Sequence, residues 1–156
     1  MTSRVQLALN VTDLEAATRR YRELFGVEPA KSRPGYVNFA IDDPPLKLVL
    51  FENPGAAASL NHLGVELESP ADVLAASDRF TASGLAHTVA REDRCCHAVQ
   101  DKVWVDVPDV PLGAWEFYTV LADDETAASA DSGCCAGDSA ADVPCCGTPA
   151  ATVGQA

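Results

Sequence analysis

The chain has 156 residues, of which 47% are hydrophobic, and it carries a formal net charge of −12. A chain of this length buries roughly two-thirds of its unfolded surface in one core. The negative charge argues against nucleic acids and anionic membranes as partners. No stretch approaches the ~20 apolar residues of a membrane span, and the first residues do not resemble a secretory signal, so we expect a cytoplasmic protein.

A first structural unit is predicted over residues 3–52. Val5, Leu7 and Leu9 alternate with small or polar residues, which is typical of a half-buried strand. The elements predicted for this unit are a strand over 4–11, an amphipathic helix over 13–25 and short strands over 27–32, 36–41 and 46–51. The inner stripe of the helix is expected to comprise Leu14, Ala17, Tyr21, Leu24 and Phe25. The unit therefore has the order strand–helix–strand–strand–strand.

A second unit, predicted over residues 60–121, repeats that order. Its predicted elements are a strand over 61–68, a helix over 70–83 and strands over 86–92, 97–106 and 114–121. The inner residues of this helix are expected to be Val73, Leu74, Ser77 and Phe80. When the first strands of the two units are aligned, Gln6 corresponds to His62. The sequence therefore predicts an α+β protein with two βαβββ modules that form a cleft, in one domain over 1–121.

The composition of the chain changes at Ala122. Beyond this point lie six of the 23 acidic residues and none of the 11 basic ones, and large apolar residues nearly vanish. Such a segment cannot bury enough apolar surface to offset the entropy of ordering it. We therefore predict that residues 122–156 form a disordered acidic tail, which contains the adjacent pairs Cys134-Cys135 and Cys145-Cys146.

The six cysteines occur as three adjacent pairs, of which Cys95-Cys96 lies in the predicted folded domain. Neighbouring Cα atoms are about 3.8 Å apart, less than the roughly 4.4–6.8 Å of ordinary disulfides. A bond within a pair would be strained, and a reducing compartment would keep the thiols, whereas oxidation could form bridges between different pairs. Adjacent thiols can hold one soft atom such as trivalent arsenic, Cd(II) or Cu(I). Arg91 and Arg94 are expected to favour thiolates here, and the tail pairs are expected to scavenge substrate or accept product.

A polar cleft is predicted between the sheet faces that carry no helices. Gln6 and His62 occupy corresponding positions on this face of the two first strands, and Glu116 lies on the same face of the last strand. A converging amide, imidazole and carboxylate would resemble the arrangement that leaves Fe(II) open positions for substrate and O2. A lone strand histidine is more often a hydrogen-bonded core residue, but the corresponding positions in a repeat favour a metal site. The candidates for proton transfer are His87, His97, Lys102 and Tyr118.

The duplicated βαβββ unit and its three candidate ligands resemble the vicinal oxygen chelate superfamily. This superfamily includes glyoxalases, extradiol dioxygenases and bleomycin- or fosfomycin-resistance proteins. More narrowly, the sequence resembles the cadmium-induced protein and organoarsenical carbon–arsenic lyase family. That resemblance extends over residues 3–121 and rests on Val5-Gln6-Leu7-Ala8-Leu9-Asn10-Val11, Phe39-Ala40-Ile41, Pro44-Pro45-Leu46-Lys47-Leu48, Leu60-Asn61-His62-Leu63-Gly64-Val65-Glu66 and Cys95-Cys96.

The resemblance implies Fe(II)- and O2-dependent cleavage of the carbon–arsenic bond in trivalent organoarsenicals, such as methylarsenite and aromatic arsenicals. The product would be arsenite, and the role would be detoxification. The resemblance also implies that Gln6, His62 and Glu116 hold the metal and that Cys95 and Cys96 hold the arsenic. One position departs from the superfamily's dioxygenases, which usually place a histidine where Gln6 stands. Glyoxalases also use glutamine there, so Gln6 indicates the identity of the metal less clearly than His62 and Glu116 do.

Two other interpretations are compatible with part of the sequence. A protein that sequesters Cd(II) or arsenite through its thiols does not need His62 and Glu116. A glyoxalase-like isomerase or a drug-binding protein of the same fold does not need the Cys95-Cys96 pair. The presence of both features in one chain favours the lyase.

Overall fold

The order strand–helix–strand–strand–strand occurs twice along the chain. The computed structural model describes residues 3–56, 59–107 and 114–125. The first unit comprises β1 (Arg4–Val11), α1 (Leu14–Phe25), β2 (Lys31–Arg33), β3 (Tyr36–Ile41) and β4 (Leu46–Glu52). The second unit comprises β5 (Ser59–Glu66), α2 (Pro70–Ala82), β6 (His87–Cys95), β7 (Ala98–Asp106) and β8 (Ala114–Asp123).

The eight strands of these ranges form one mixed sheet in the order β2-β3-β4-β1-β5-β8-β7-β6. The first strands of the two units, β1 and β5, pair antiparallel at its centre. Within each unit the first strand pairs in parallel with the last, β1 with β4 and β5 with β8. The two units therefore occupy equivalent halves of the sheet, and the predicted α+β architecture is confirmed.

Capping side chains begin both helices. Oδ1 of Asp13 accepts a hydrogen bond from the backbone N of Ala16 at 2.8 Å, and Oγ of Ser69 accepts one from Asp72 N at 3.3 Å. Gly26 ends α1 with φ of 67°, a left-handed conformation that glycine adopts without a side-chain penalty. Neither of the helices described is long and apolar enough to cross a membrane.

Each helix covers one half of the sheet with its own apolar cluster. The buried residues of the first cluster are Ala17, Val37, Phe39, Ile41, Leu48 and Leu50. Those of the second are Val73, Ala76, Phe80, Val103 and Val105. Two predicted inner residues, Leu24 and Leu74, are instead 68% and 43% exposed. At about 100° per residue, Leu74 lies roughly 100° round the helix from Val73, whereas the smaller Ala76 lies nearer the sheet. Leu24 similarly lies at the edge of the apolar stripe, in the last turn of α1.

Strand β8 continues beyond residue 121, where the folded domain was predicted to end. Its last residues pair with the start of β7. The buried Asp124 beyond them accepts a hydrogen bond from Arg94 Nη1 at 2.7 Å. The strand predicted over 114–121 is therefore two residues too short, because strand pairing and an ion pair stabilise a segment whose composition is not apolar. The division of the chain into a folded domain and a tail stays a prediction. The rest of the predicted tail, with Cys134, Cys135, Cys145 and Cys146, lies outside the described residues.

Candidate metal and thiol site

Gln6, His62 and Glu116 lie on three neighbouring strands, β1, β5 and β8, and all three are buried. The strand register brings Gln6 and Glu116 together, because Gln6 pairs with Gly64 and Gly64 pairs with Glu116. Gly64 has no side chain, so the side chains of Gln6 and Glu116 approach each other above it. His62 lies two residues before Gly64 on β5, and its side chain contacts those of Gln6 and Glu116. The structure thus brings the three residues together, and their role as metal ligands stays a prediction.

The three side chains contact one another directly. Nε2 of Gln6 lies 2.8 Å from Nε2 of His62 and 3.2 Å from Oε2 of Glu116. The same atoms of His62 and Glu116 are 3.3 Å apart. Two ligand atoms at right angles around a divalent ion, each bound at ~2.1 Å, would be about 3.0 Å apart. The 3.3 Å between Nε2 of His62 and Oε2 of Glu116 is close to this spacing. Within the described ranges no three His, Cys, Asp or Glu side chains form a metal-ligand cluster, so a three-ligand site here needs the amide of Gln6.

Tyr118 orients the amide of Gln6. The buried Tyr118 hydroxyl donates a hydrogen bond to Oε1 of Gln6, and Nε2 of Gln6 then faces His62 and Glu116. Burial raises the pKa of Tyr118 well above its usual range, so its hydroxyl stays protonated. A cation needs the amide oxygen, so Gln6 can ligate only after a half-turn of the amide. Tyr118 would then accept a hydrogen bond from Nε2 in place of donating one.

Lys102 keeps Glu116 ionised inside the protein. Nζ of Lys102, which is 0% exposed, lies 3.1 Å from Oε1 of Glu116 and 3.0 Å from Oδ2 of Asp93. Burial by itself would raise the pKa of Glu116, but nearby positive charge, chiefly the Lys102 ammonium, outweighs burial and lowers this pKa to about 2. Burial would likewise lower the pKa of Lys102, but the two carboxylates raise it. Glu116 is therefore a carboxylate whose second oxygen, Oε2, faces the candidate metal position.

An open cavity of about 330 Å³, its mouth included, lies beside these residues. Its lining residues are Gln6, Tyr36, Lys47, Val49, Phe51, His62, Cys95, Cys96, Gln100 and Glu116. Tyr36 and Phe51 form an aromatic wall, with ring centroids 5.6 Å apart. The cavity therefore combines a polar corner at the three candidate ligands, an apolar wall and two sulfur atoms.

The cysteine pair lies at a tight hairpin turn between β6 and β7. Cys95 pairs with Ala98, which leaves only Cys96 and His97 between the strands. Both have positive φ, 54° and 63°, as the preferred two-residue hairpin turns require. This conformation costs a residue other than glycine roughly 1–2 kcal/mol. The strand predicted over 86–92 therefore ends three residues too early, because strand pairing extends to Cys95. The turn places the sulfur atoms at the cavity.

The two sulfur atoms differ in oxidation state. They lie 2.8 Å apart, which exceeds the roughly 2.05 Å of a disulfide bond, so the two cysteines are not bonded to each other. Cys96 carries a thiol, whereas Cys95 is disulfide-bonded. Cys96 therefore has the expected thiol, and Cys95 is in the oxidised state that the sequence left open. Two thiols are available to a ligand only after reduction.

The two arginines near the cysteine pair have carboxylate partners. Nε of Arg91 lies 2.8 Å from Oδ2 of the buried Asp101, and Nη1 of Arg94 lies 2.7 Å from Oδ2 of Asp124. Carboxylates therefore balance the charges of both arginines, and the expectation that Arg91 and Arg94 favour thiolates stays a prediction.

The four candidates for proton transfer divide into two groups. Lys102 contacts Glu116, and the Tyr118 hydroxyl donates a hydrogen bond to Gln6. His97 occupies the hairpin turn and does not line the cavity. His87 faces α2, where its Nε2 lies 3.0 Å from Oγ of Ser77. His87 therefore lies outside the site, because its strand places it on the helix-covered face of the sheet.

Five cavity residues were not predicted as functional: Tyr36, Lys47, Val49, Phe51 and Gln100. Lys47 pairs with Gln6 in the β1–β4 register, and its Nζ donates to Oε1 of Glu66 at 2.7 Å. A single lysine inside the otherwise apolar strand β4 was a signal that could have identified this position. Tyr36 and Phe51 carried no such signal, because aromatic residues in strands are more often part of the core.

Gly64→Ala is expected to destabilise the fold and disturb the site. A Cβ atom at Gly64 would lie 2.9 Å from the backbone oxygen of Glu116 and 3.6 Å from Cβ of Gln6. Because the nearer atom is backbone of a paired strand, β8 must shift, and overpacking of this kind typically costs about 1–3 kcal/mol. Urea unfolding measures the change. Gly55→Ala is the matched control, since its Cβ would meet only Oδ1 of Asn53 at 3.8 Å. Equal stability of the Gly64→Ala variant and the unaltered chain would contradict this packing.

Two βαβββ units in one mixed sheet, with a cleft on the face away from the helices, define the vicinal oxygen chelate fold. The chain belongs to the glyoxalase/bleomycin resistance protein/dioxygenase superfamily, whose sequence model matches residues 4–109. Homoprotocatechuate 2,3-dioxygenase from Arthrobacter globiformis shares the fold with a TM-score of 0.51 and 23% identity. The similarity covers 77% of this chain and 36% of that one.

Curated relatives are more similar in sequence. The cadmium-induced protein CadI of Mycobacterium tuberculosis is 60% identical over 124 residues, which cover 80% of each chain. The trivalent organoarsenical cleaving enzyme of Thermomonospora curvata is 56% identical over 135 residues, which cover 85% of this chain and 88% of that one.

Proposed function

We propose that this protein is an enzyme that cleaves the carbon–arsenic bond of trivalent organoarsenicals, with Fe(II) and O2, and releases arsenite. One observation carries the proposal: Cys95 and Cys96 line the same cavity as Gln6, His62 and Glu116. A soft, thiophilic atom and a metal ion could therefore be held next to each other. The similarity to the organoarsenical cleaving enzyme of Thermomonospora curvata supports the same substrate class.

In this proposal the metal is held by Nε2 of His62, Oε2 of Glu116 and the amide oxygen of Gln6. Fe(II) bound there would supply O2 activation beside the substrate. Glu116 contributes the negative charge that a divalent ion requires, and His62 contributes a neutral nitrogen. Nζ of Lys102 lies 3.1 Å from Oε1 of Glu116, so Oε2 is the oxygen that remains for the metal.

The cysteine pair would bind the arsenic after Cys95 has been reduced. Each thiol forms one sulfur–arsenic bond and displaces one hydroxyl group of the arsenical, and the thiol proton leaves with that hydroxyl as water. The organic substituent is then the third group on arsenic and lies in the cavity with the aromatic wall of Tyr36 and Phe51. This arrangement would place the carbon–arsenic bond between the thiols and the metal.

The proposed reaction can be tested with methylarsenite. The protein is reconstituted anaerobically with Fe(II) and a thiol reductant, and arsenic species are separated after incubation with and without O2. We expect arsenite only when both Fe(II) and O2 are present, and none from Zn(II)-loaded protein. Capture of methylarsenite without arsenite release would make the protein a thiol trap. Cleavage at the full rate without O2 would contradict the dioxygenase-like reaction.

A further inference from the structure

A β-bulge in β5 immediately precedes His62. The β1–β5 register pairs Ala8 with His62 and then Leu9 with Leu60, so Asn61 is an extra residue with no counterpart on β1. A bulge breaks the alternation of side chains, and near active sites it redirects a side chain. In this bulge Asn61 reaches the ring of the next residue, with its Oδ1 2.7 Å from Nδ1 of His62.

Asn61 also begins a chain of hydrogen bonds that leads away from His62. Nδ2 of Asn61 donates to Oδ1 of Asn10 at 2.9 Å, and Nδ2 of Asn10 donates to Oγ of Ser59 at 3.1 Å. Because each amide uses its nitrogen in the direction of Ser59, each presents its oxygen in the opposite direction. Asn61 therefore offers His62 an acceptor. A neutral imidazole that donates from Nδ1 carries its lone pair on Nε2.

The shortest contact on the other side of the ring agrees with this protonation. Nε2 of His62 lies 2.8 Å from Nε2 of Gln6, an amide nitrogen that can only donate. The carboxylate oxygen Oε2 of Glu116, which can only accept, lies farther from Nε2 of His62, at 3.3 Å. His62 Nε2 is therefore the acceptor in the contact with Gln6. The ring also lies between Phe51 and Trp104, with centroid distances of 6.5 and 5.5 Å. These aromatic rings fix the imidazole plane without distinguishing its two nitrogens.

We propose that Asn61 is a positioning residue that holds His62 in the tautomer protonated at Nδ1 and directs the lone pair of Nε2 toward the metal. The inference rests on the proposed function, in which His62 is a metal ligand. Hydrogen-bond partners of this kind orient metal-binding histidines and raise their basicity. The bulge is the feature that makes the contact, because regular alternation would place Asn61 and His62 on opposite faces of the sheet.

NMR of metal-free protein labelled with ¹⁵N in its histidines tests the tautomer directly. We expect Nδ1 of His62 to be protonated in the unaltered chain and in Asn61→Asp, whose carboxylate keeps the acceptor. Asn61→Leu is similar in size but has no acceptor, so both tautomers should be populated. Anaerobic Fe(II) titration should then show an affinity about 10–100-fold lower for Asn61→Leu and little changed for Asn61→Asp. Asn53→Leu is the matched control, because Asn53 does not line the cavity, and it should match the unaltered chain in both measurements.

Two results would overturn the proposal: His62 protonated at Nε2 in the unaltered metal-free chain, or the unchanged tautomer and iron affinity in Asn61→Leu. If Asn61→Leu does not fold, the proposal is still tested by the His62 tautomer in the unaltered chain and by the tautomer and Fe(II) affinity of Asn61→Asp. Failure of the proposed function is separate from both results. It would appear as absent iron binding or absent cleavage by the unaltered chain, whichever tautomer the NMR spectrum shows.

Discussion

His62→Ala and Glu116→Gln are each expected to abolish Fe(II) binding and arsenite release, while the reduced thiols still capture the arsenical. His62 and Glu116 would each supply one of three ligand atoms. Metal affinity should therefore fall by more than the roughly 100-fold seen when only a ligand's hydrogen-bond partner is lost. Glutamine is preferred to alanine at Glu116, because it keeps the volume beside the buried Lys102. Asp93, at 3.0 Å, remains as the counter-ion of that lysine.

Iron stoichiometry after anaerobic reconstitution and removal of free metal measures this effect, together with arsenite release. Gln6→Ala should be milder, because water can replace an amide oxygen. His87→Ala is the matched histidine control, since His87 contacts Ser77 outside the cavity, and it should retain iron. Stoichiometric iron in a His62→Ala, Glu116→Ala double variant would eliminate this metal site.

Cys96→Ser is expected to abolish binding of methylarsenite while Fe(II) remains bound. A serine oxygen is a poor ligand for a soft atom such as trivalent arsenic. Serine keeps the Cβ atom, so the positive φ of 54° at this position carries the same strain in both proteins. The free energy of unfolding should therefore change by only about 0.5 kcal/mol. Cys95→Ser should have the same effect on binding when it is measured under reducing conditions.

The binding measurement needs a background in which Cys95-Cys96 is the only cysteine pair. The four cysteines to be replaced by serine in this background are Cys134, Cys135, Cys145 and Cys146. In this background we expect one arsenical per chain, and none after the Cys96→Ser substitution. Unchanged affinity in the Cys96→Ser variant would show that arsenic binds elsewhere and would remove the main support for the proposed substrate.

Much of the candidate site could be predicted because strands alternate strictly. Once 4–11 and 61–68 are identified as corresponding strands, the period of two residues places Gln6 and His62 on the same face. Along β8, the same alternation places Trp115 and Phe117 on the face that packs beneath α2 and Glu116 on the other face of the sheet. The helices predicted over 13–25 and 70–83 also agree with α1 and α2 to within one residue, because helix ends depend on residues within one turn.

The contacts between distant strands could not be predicted in this way. The sequence by itself determined the element order, the approximate helix ranges and the faces on which the candidate ligands lie, because these depend on local spacing. Only the tertiary structure decided that Gln6 and Glu116 meet above Gly64, that Lys102 is buried against Glu116 and that Asn61 is turned toward His62. These contacts depend on strand register and on a bulge. Both are set by the packing of strands far apart in the chain and leave no periodic signal within any one strand.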